Sequence, residues 1–290
     1  MIHGREAAEV RIGVSLPFST SDAGGGEITW AHVRDFARHA EDLGLDSVWI
    51  CDHLWSTTPD GAPEGILEGW TILSALAVST TRVELGQLVM CAPFRNPALL
   101  AKMAVTADAV SGGRVTLGLG AGWYDAEFAA FGYPADRRVA RLGEALEIIA
   151  PLLRGEAVTL AGRFHSAREA RLLPPPERRI PILVAAEQQR MLRLTARHAQ
   201  GWNTAWYSEP DRILRQRLDG MAAALEAEGR DPATLRRTVG IDIEEPFGDI
   251  ARTLDAFAEL GFDDAIVGLV PRDRRALDRL NRSLRLRQRP

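Results

Sequence analysis

The sequence predicts a single α/β domain folded as a (β/α)8 barrel, and three observations support that prediction. The chain has 290 residues, of which 46% are hydrophobic and 26% charged, an ordinary globular composition that supplies one large core. Short apolar segments typical of strands alternate with segments of helical periodicity along the whole chain. Regular alternation favours a parallel sheet, and eight strand–helix units close into a barrel.

The first four units each pair a short apolar strand with a periodic helix. The first strand is bounded by Ser and Pro, and the first helix buries one face and ends at Gly44. The predicted strands are Arg11–Phe18, Ser47–His53, Val83–Cys91 and Arg114–Gly122. The predicted helices are Thr29–Gly44, Trp70–Ser79, Ala98–Val110 and Arg138–Leu153.

The last four units repeat this pattern with a long amphipathic helix after the sixth strand and a charged closing helix. The predicted strands are Ile180–Ala186, Gly201–Trp206, Val239–Ile243 and Ala265–Val270. The predicted helices are Arg190–His198, Pro210–Glu228, Asp249–Leu260 and Arg274–Leu286. Gly261 marks the end of the seventh helix, as glycine often does.

One segment, from about Gly155 to Pro181, interrupts the alternation. It is too long for a plain connection between a helix and a strand, so we expect an excursion from the barrel. Val158–Ser166 carries a hairpin signal around Ala161-Gly162, and three consecutive prolines follow at 174–176. No linker to a second domain is present, so residues 1–290 are predicted to form one domain.

Charge and hydropathy exclude several classes of function. The formal net charge is −4, so no basic surplus indicates nucleic-acid binding. Residues 1–9 lack the apolar run of a signal peptide, and no stretch has the roughly 18 apolar residues of a membrane span. We therefore expect a cytoplasmic protein. Cys51 and Cys91 are too few for a disulfide framework and are interpreted as buried free thiols.

Two features stand at the carboxyl ends of the strands, where barrels of this kind place their active sites. Asp52 and His53 end the second strand; a histidine there can relay a proton and an adjacent aspartate can orient it, or the histidine only caps a loop. Gly118–Gly122 ends the fourth strand and allows a ligand to approach the backbone closely. Its spacing differs from that of the Rossmann dinucleotide motif.

Two other chemistries find little support. His53, Asp52, Glu127 and Glu244 could converge on a metal, but no paired-histidine spacing strengthens that interpretation, and no metal site is predicted. The chain also lacks the G-x-S-x-G motif of serine hydrolases.

The segment from Phe94 to Gly132, FRNPALLAKMAVTADAVSGGRVTLGLGAGWYDAEFAAFG, resembles the luciferase-like monooxygenase superfamily. The DH pair of the second strand and the Gly-Trp-Asn of the sixth, at 201–203, fit the same family. The resemblance covers nearly the whole chain. It implies a barrel with extra segments, a homodimer, and FMN or the deazaflavin coenzyme F420.

The chain lacks the longer insertions of the FMN-dependent monooxygenases, so its size resembles that of the F420-dependent branch of the family. The resemblance therefore implies hydride transfer between F420 and a small organic substrate. An FMN-dependent monooxygenase that uses O2 is the first alternative, and a non-catalytic flavin-binding barrel is the second. No nucleic-acid or membrane partner is expected.

The resemblance also implies roles for individual residues. His53 would lie near the reactive ring edge, beside a non-prolyl cis peptide bond at Leu88-Val89 that backs the ring. Asp52 and Glu127 are the other candidate catalytic residues, and Trp55 and Trp123 would line the substrate side. The residues expected to bind the cofactor are Leu88, Val89, Met90, Gly120, Ala121, Gly122, Ala185, Ala186, Arg190, Trp202 and Asn203.

Two positions depart from the family pattern. Some F420-dependent dehydrogenases have an acidic residue directly after the G-x-G turn, where this chain has Trp123, so Glu127 is the nearest carboxylate. The family often has a glycine cluster after the fifth strand that receives phosphate. Here Glu187 follows two alanines and would repel a phosphate unless it turns away, whereas Arg190 would attract one.

Overall fold

The computed structural model describes residues 10–23, 26–58, 60–244 and 249–287. Within these ranges a parallel sheet closes on itself, because each barrel strand pairs with the next and the eighth pairs with the first. The predicted (β/α)8 barrel is confirmed. The barrel strands are β1 Arg11–Ser15, β2 Ser47–Ile50, β3 Glu84–Gln87, β4 Val115–Gly120, β5 Ile182–Ala185, β6 Gly201–Tyr207, β7 Arg236–Glu244 and β8 Asp264–Val270.

Helices surround the barrel at the predicted places, with one addition. The helix at 125–131, between β4 and the helix that begins at Arg138, is not among the predicted helices. The helices are α1 Trp30–Asp42, α2 Gly69–Ser79, α3 Pro97–Ser111, α4 Asp125–Phe131, α5 Arg138–Leu153, α6 Gln189–His198, α7 Arg212–Ala227, α8 Ile250–Glu259 and α9 Arg274–Arg287. Short 3-10 turns lie at Ser21–Ala23, Ala92–Phe94 and Pro232–Thr234.

The third predicted strand is divided in two. β3 ends at Gln87, and Met90–Cys91 forms a separate short strand that pairs with Leu119 and Gly120 of β4. The peptide bond between Leu88 and Val89 is cis, at the position that the resemblance implies.

The expected excursion is an antiparallel hairpin made of Val158–Ala161 and Ser166–Ala170. Its turn lies over residues 162–165, later than the Ala161-Gly162 signal indicated. Glu144 of α5 explains the shift, because its carboxylate accepts hydrogen bonds from the backbone N–H groups of three turn residues, Arg163, Phe164 and His165. A second small hairpin joins Ser56–Thr57 to Pro63–Glu64.

Side chains fill the half of the barrel near the amino ends of the strands, so the interior opens toward the carboxyl ends. The ring of Trp49 is fully buried between Leu183 and Ile266. Gly86 makes room for that ring, because a Cβ there would lie 2.2 Å from it. Below it, Arg236 pairs with Asp264 and Glu84. A ligand site inside the barrel is thereby restricted to its mouth.

Among the residues that the structure describes, no helix combines the length and apolar character that crossing a bilayer requires.

Candidate active site

A cavity of about 520 Å³ opens at the carboxyl ends of β2 to β6. Its size lies within the range of small-molecule sites, roughly 300–1,000 Å³. The predicted site residues that line it are Asp52, His53, Leu88, Val89, Gly120, Ala121, Gly122, Trp123, Glu127, Ala185, Ala186 and Asn203. The structure thus brings most of the predicted residues together in one cavity.

His53 and Glu127 form a hydrogen-bonded pair in this cavity. His53 Nδ1 lies 2.9 Å from Glu127 Oε2, and the glutamate side chain is 3% exposed against 23% for the histidine. The other oxygen of Glu127 accepts hydrogen bonds from the backbone N–H groups of Leu54 and Trp55. Glu127 is in the first turn of α4, so that unpredicted helix is what delivers the carboxylate. Both carboxylate oxygens of the buried Glu127 therefore have hydrogen-bond partners.

Asp52 does not orient His53, contrary to the expectation from their adjacency. Its carboxylate accepts hydrogen bonds from both terminal nitrogens of Arg95, at 2.6 and 2.9 Å, and from the backbone N–H of Cys91. Burial raises the pKa of Asp52, and the Arg95 guanidinium acts against that rise. Asp52 and His53 both lie beyond Ile50, the last residue of β2, and they have different partners.

Arg95 connects Asp52 to Glu68, which caps the first turn of α2 by accepting from the N–H groups of Trp70 and Thr71. The arginine of the Arg-Asn-Pro motif therefore holds β2, the Met90–Cys91 strand and α2 in one network. Asp52 thus ties the end of β2, which carries His53, to this network.

The floor of the cavity is formed by backbone. A Cβ at Gly118 would lie 1.8 Å from the carbonyl oxygen of Gln87, and one at Gly120 would lie 2.5 Å from a methyl of Val89. Gly122 has a φ of +79°, which favours glycine. The glycines of the Gly118–Gly122 turn therefore let the Leu88-Val89 segment pack directly against β4.

The wall on the β5–β6 side is also close to the backbone. Ala185 ends β5 and Ala186 follows it, and the indole of the fully buried Trp202 donates a 2.8 Å hydrogen bond to the carbonyl of Ala186. Asn203 is held by its own bond to Thr238. Trp202 thus supports this wall from behind and does not border the cavity.

Three further predicted residues do not border the cavity either. Met90 is buried in the core around the barrel, and Arg190 is exposed in the first turn of α6. Trp55 packs beside Tyr124, with its indole nitrogen buried without a partner among the described residues. Their sequence positions are close to the site, but these residues are not part of the cavity lining.

Sequence reasoning missed several cavity residues. Phe94 and Phe128 line the cavity beside Cys91, with 5.1 Å between their ring centres and the rings tilted by 52° to each other. The partner of Glu187 was missed as well: this residue, expected to repel a phosphate unless it turns away, lines the cavity and is ion-paired at 2.7 Å with Arg217 of α7. Arg217 lies 30 positions away in the chain, so no local pattern indicates this pairing.

The two cysteines line the cavity as free thiols. Burial raises the pKa of Cys51 to about 12 and raises that of Cys91 as well. Thiols with raised pKa values are poor nucleophiles at neutral pH. In the part of the chain that the structure describes, no group of three or more His, Cys, Asp or Glu side chains could hold a metal ion.

Comparisons with known proteins agree with this architecture. Relatives named F420-dependent glucose-6-phosphate dehydrogenase occur in Kineococcus radiotolerans, 35% identical over 73% of this chain and 63% of theirs, and in Microbacterium testaceum, 34% identical over 68% and 59%. The chain thus spans about three fifths of the length of these relatives.

Solved structures share the fold at low sequence identity. An F420-dependent secondary alcohol dehydrogenase bound to an F420-acetone adduct superposes with a TM-score of 0.80 at 17% identity, covering 97% of this chain and 100% of that one. The monooxygenase RslO1 of Streptomyces bottropensis superposes with a TM-score of 0.77 at 22% identity, over 96% and 98%. The family model for the luciferase-like monooxygenase domain matches residues 10–244. The chain therefore belongs to the luciferase-like monooxygenase family.

Proposed function

We propose that the protein is an oxidoreductase that uses coenzyme F420 for hydride transfer to or from a small organic substrate. The observation that carries this proposal is the single cavity in which the Leu88-Val89 segment, the Gly120–Gly122 turn and the His53–Glu127 pair meet. The names of the relatives, which include F420-dependent dehydrogenases, support the choice of cofactor.

The residues present fit a flat ring system. Gly120 and Ala121 line the cavity with backbone and at most one methyl group. Leu88 and Val89 supply an apolar surface on one side, and Ala185 supplies another. We expect the deazaflavin to lie against the Leu88-Val89 segment, and when bound it would supply the acceptor or donor of the hydride.

His53 would move the proton that accompanies the hydride. An ionised carboxylate only accepts hydrogen bonds, so Glu127 selects the tautomer of His53 with its proton on Nδ1. The Nε2 atom is then left to accept a proton. During oxidation of an alcohol, the carbinol carbon gives up its hydride and the hydroxyl proton passes to Nε2 as the C=O bond forms. The reverse reaction returns both.

Glu127 and Asp52 would act through other groups. Glu127 sets the tautomer and direction of His53, and Asp52 with Arg95 fixes the strand end from which His53 projects. Trp123 lies edge-on to His53, with 5.6 Å between the ring centres, and would help exclude water from the reacting atoms.

A cofactor titration tests this proposal. The fluorescence of F420 and of FMN would be followed as each is titrated with the protein, and we expect saturable binding of F420 that is tighter than that of FMN. Gly120→Val should weaken it, since its side chain would collide with Val89 and displace the Leu88-Val89 segment, whereas Gly143→Ala, whose Cβ meets Leu194 at an ordinary 3.5 Å, should not. Tight FMN binding without F420 binding would favour the FMN-dependent monooxygenase, and binding of either cofactor without turnover would favour a non-catalytic barrel.

We also propose a cytoplasmic homodimer that associates through α2 and α3. These helices are apolar on nearly all sides and leave Val78, Leu99 and Val110 more than half exposed. The two helices pack against each other, and exposed apolar side chains grouped on one part of a surface are typical of protein–protein contacts. Sedimentation should give the mass of a dimer, and Val110→Glu should shift it toward the monomer.

A further inference from the structure

The barrel mouth has a second part, beside the cavity, formed by β6, β7 and β8. The ring of Trp206 lies there over two glycines: a Cβ at Gly240 would be 2.7 Å from that ring and one at Gly268 would be 3.5 Å from it. Gly240 pairs with Ile266, whose side chain packs inside the barrel, so the ring faces the interior. Trp206 is nevertheless 41% exposed, because it lies at the open end.

A carboxylate lies beside this ring. Asp242 pairs with Gly268 across β7 and β8, and its Oδ1 lies 2.7 Å from the place where a Cβ of Gly268 would be. The residue is exposed, and within the described ranges neither of its oxygens has a hydrogen-bond partner. Glu244 lies two residues further along β7 and therefore on the same face. An aromatic surface and an unengaged acceptor thus face the same opening.

The charges around this opening are mainly negative. Arg272 is the nearby cation, and it donates a 2.7 Å hydrogen bond to Asp22 while its guanidinium lies 5.0 Å from the centre of the Phe18 ring. Its Nε is buried without a partner among the described residues. Burial and the charge of Glu244 raise the pKa of Asp242, whereas Arg272 lowers it. Two acids and one already paired arginine make a poor environment for an anion.

This arrangement suits a particular ligand chemistry. An aromatic face packs well against the apolar face of a ring, and a carboxylate accepts hydrogen bonds from hydroxyl or ammonium groups. A phosphate ester would place its negative charge beside Asp242 and Glu244, and like charges repel strongly where water is partly excluded. The opening adjoins the proposed cofactor cavity, because Thr204 and Ala205 line that cavity and Trp206 follows them directly.

We propose that Trp206 and Asp242 form the substrate subsite, and that it takes a ring compound with hydroxyl or amine donors and no phosphate group. The proposal rests on the proposed F420-dependent reaction, since it assigns the other reactant to the space beside the cofactor cavity. The proposed substrate class distinguishes this chain from the glucose-6-phosphate dehydrogenases to which it is similar in sequence, because their named substrate carries a phosphate.

The test compares matched ligands. Binding of glucose, glucosamine, cyclohexanol and glucose 6-phosphate would be measured by calorimetry with and without saturating F420, and F420 affinity would be measured separately by fluorescence. We expect the hydroxyl- or amine-bearing rings to bind at least about tenfold more tightly than the phosphate ester. Glucosamine and glucose distinguish an ammonium donor from hydroxyl donors, and either result is consistent with the subsite.

Variants localise the effect. Trp206→Leu should weaken binding of the ring compounds by about fivefold or more, and Trp206→Phe should restore part of it. Asp242→Asn should reduce the ratio between the affinity for the phosphate-free ring compounds and the affinity for glucose 6-phosphate. Asp219→Asn, the same chemical change on the outer helix α7, should leave that ratio unchanged. Tighter binding of the phosphate ester, no binding of any of the other compounds, or insensitivity to Trp206→Leu would overturn the subsite. If the wild-type protein does not bind F420, the proposed function itself is overturned.

Discussion

Replacing Glu127 by glutamine tests the role of the His53–Glu127 pair most sharply. The amide oxygen can still accept from the N–H groups of Leu54 and Trp55, so the amide nitrogen would then face His53 Nδ1. That nitrogen donates, which requires Nδ1 to be the acceptor and moves the ring proton to Nε2. Nε2 could then no longer accept the substrate proton.

The expected loss follows from what a positioned base contributes. General acid–base catalysis contributes about 10²–10⁴-fold, so kcat for F420-linked turnover should fall by that amount. The affinity for F420 should remain within about twofold, since Glu127 is expected to act only through His53. Folding should lose about 1–3 kcal/mol, because hydrogen bonds to a charged acceptor become bonds to a neutral one.

Two measurements check this prediction. Steady-state turnover gives kcat and KM, and the nitrogen NMR shifts of His53 report which ring nitrogen carries the proton, independently of turnover. Glu147→Gln, an exposed position on α5, is the matched control. A Glu127→Gln protein with unchanged kcat and the Nδ1-protonated tautomer would refute the reasoning.

Three further predictions concern stability. Arg95→Met leaves the buried Asp52 carboxylate without its cation and should cost about 3–5 kcal/mol in urea unfolding, with Arg95→Lys costing less; equal stability would contradict the network. Gly86→Ala places a Cβ 2.2 Å from the Trp49 ring and should cost about 1–3 kcal/mol or more, whereas Gly143→Ala should be neutral or slightly stabilising. Burial lowers the pKa of His198, so the unfolded chain binds the proton more tightly and stability should fall as the pH drops through and below about 6.5; His198→Gln should flatten that slope, and an unaltered slope would exclude His198 as its source.

Local patterns were enough to predict the barrel. Apolar strands such as Ile182–Ala185 and amphipathic helices such as Arg212–Ala227 carry their own periodicity, and these elements lie where the sequence indicates. The short helix Asp125–Phe131 was missed because its seven residues show less than two full turns of any pattern. The division of the third strand at Gln87 was also missed, since an apolar run does not reveal where pairing stops.

Site residues were predictable in position but less so in partner. His53 and the Gly120–Gly122 turn line the cavity, because strand ends meet at one face of a barrel. The partner of His53 is Glu127, 74 positions away, and its neighbour Asp52 turns to Arg95 instead. Trp206 and Asp242 were not singled out, since only the closed sheet brings their strands together over Gly240 and Gly268.

A crystal structure of the protein with F420 bound tests the central claim most directly. We predict that the deazaflavin ring lies in the cavity against Leu88-Val89 and the Gly120–Gly122 turn, with His53 Nε2 facing the substrate side and Glu127 behind it. A ring bound elsewhere on the barrel, or His53 turned away from the ring with its bond to Glu127 broken, would contradict the account.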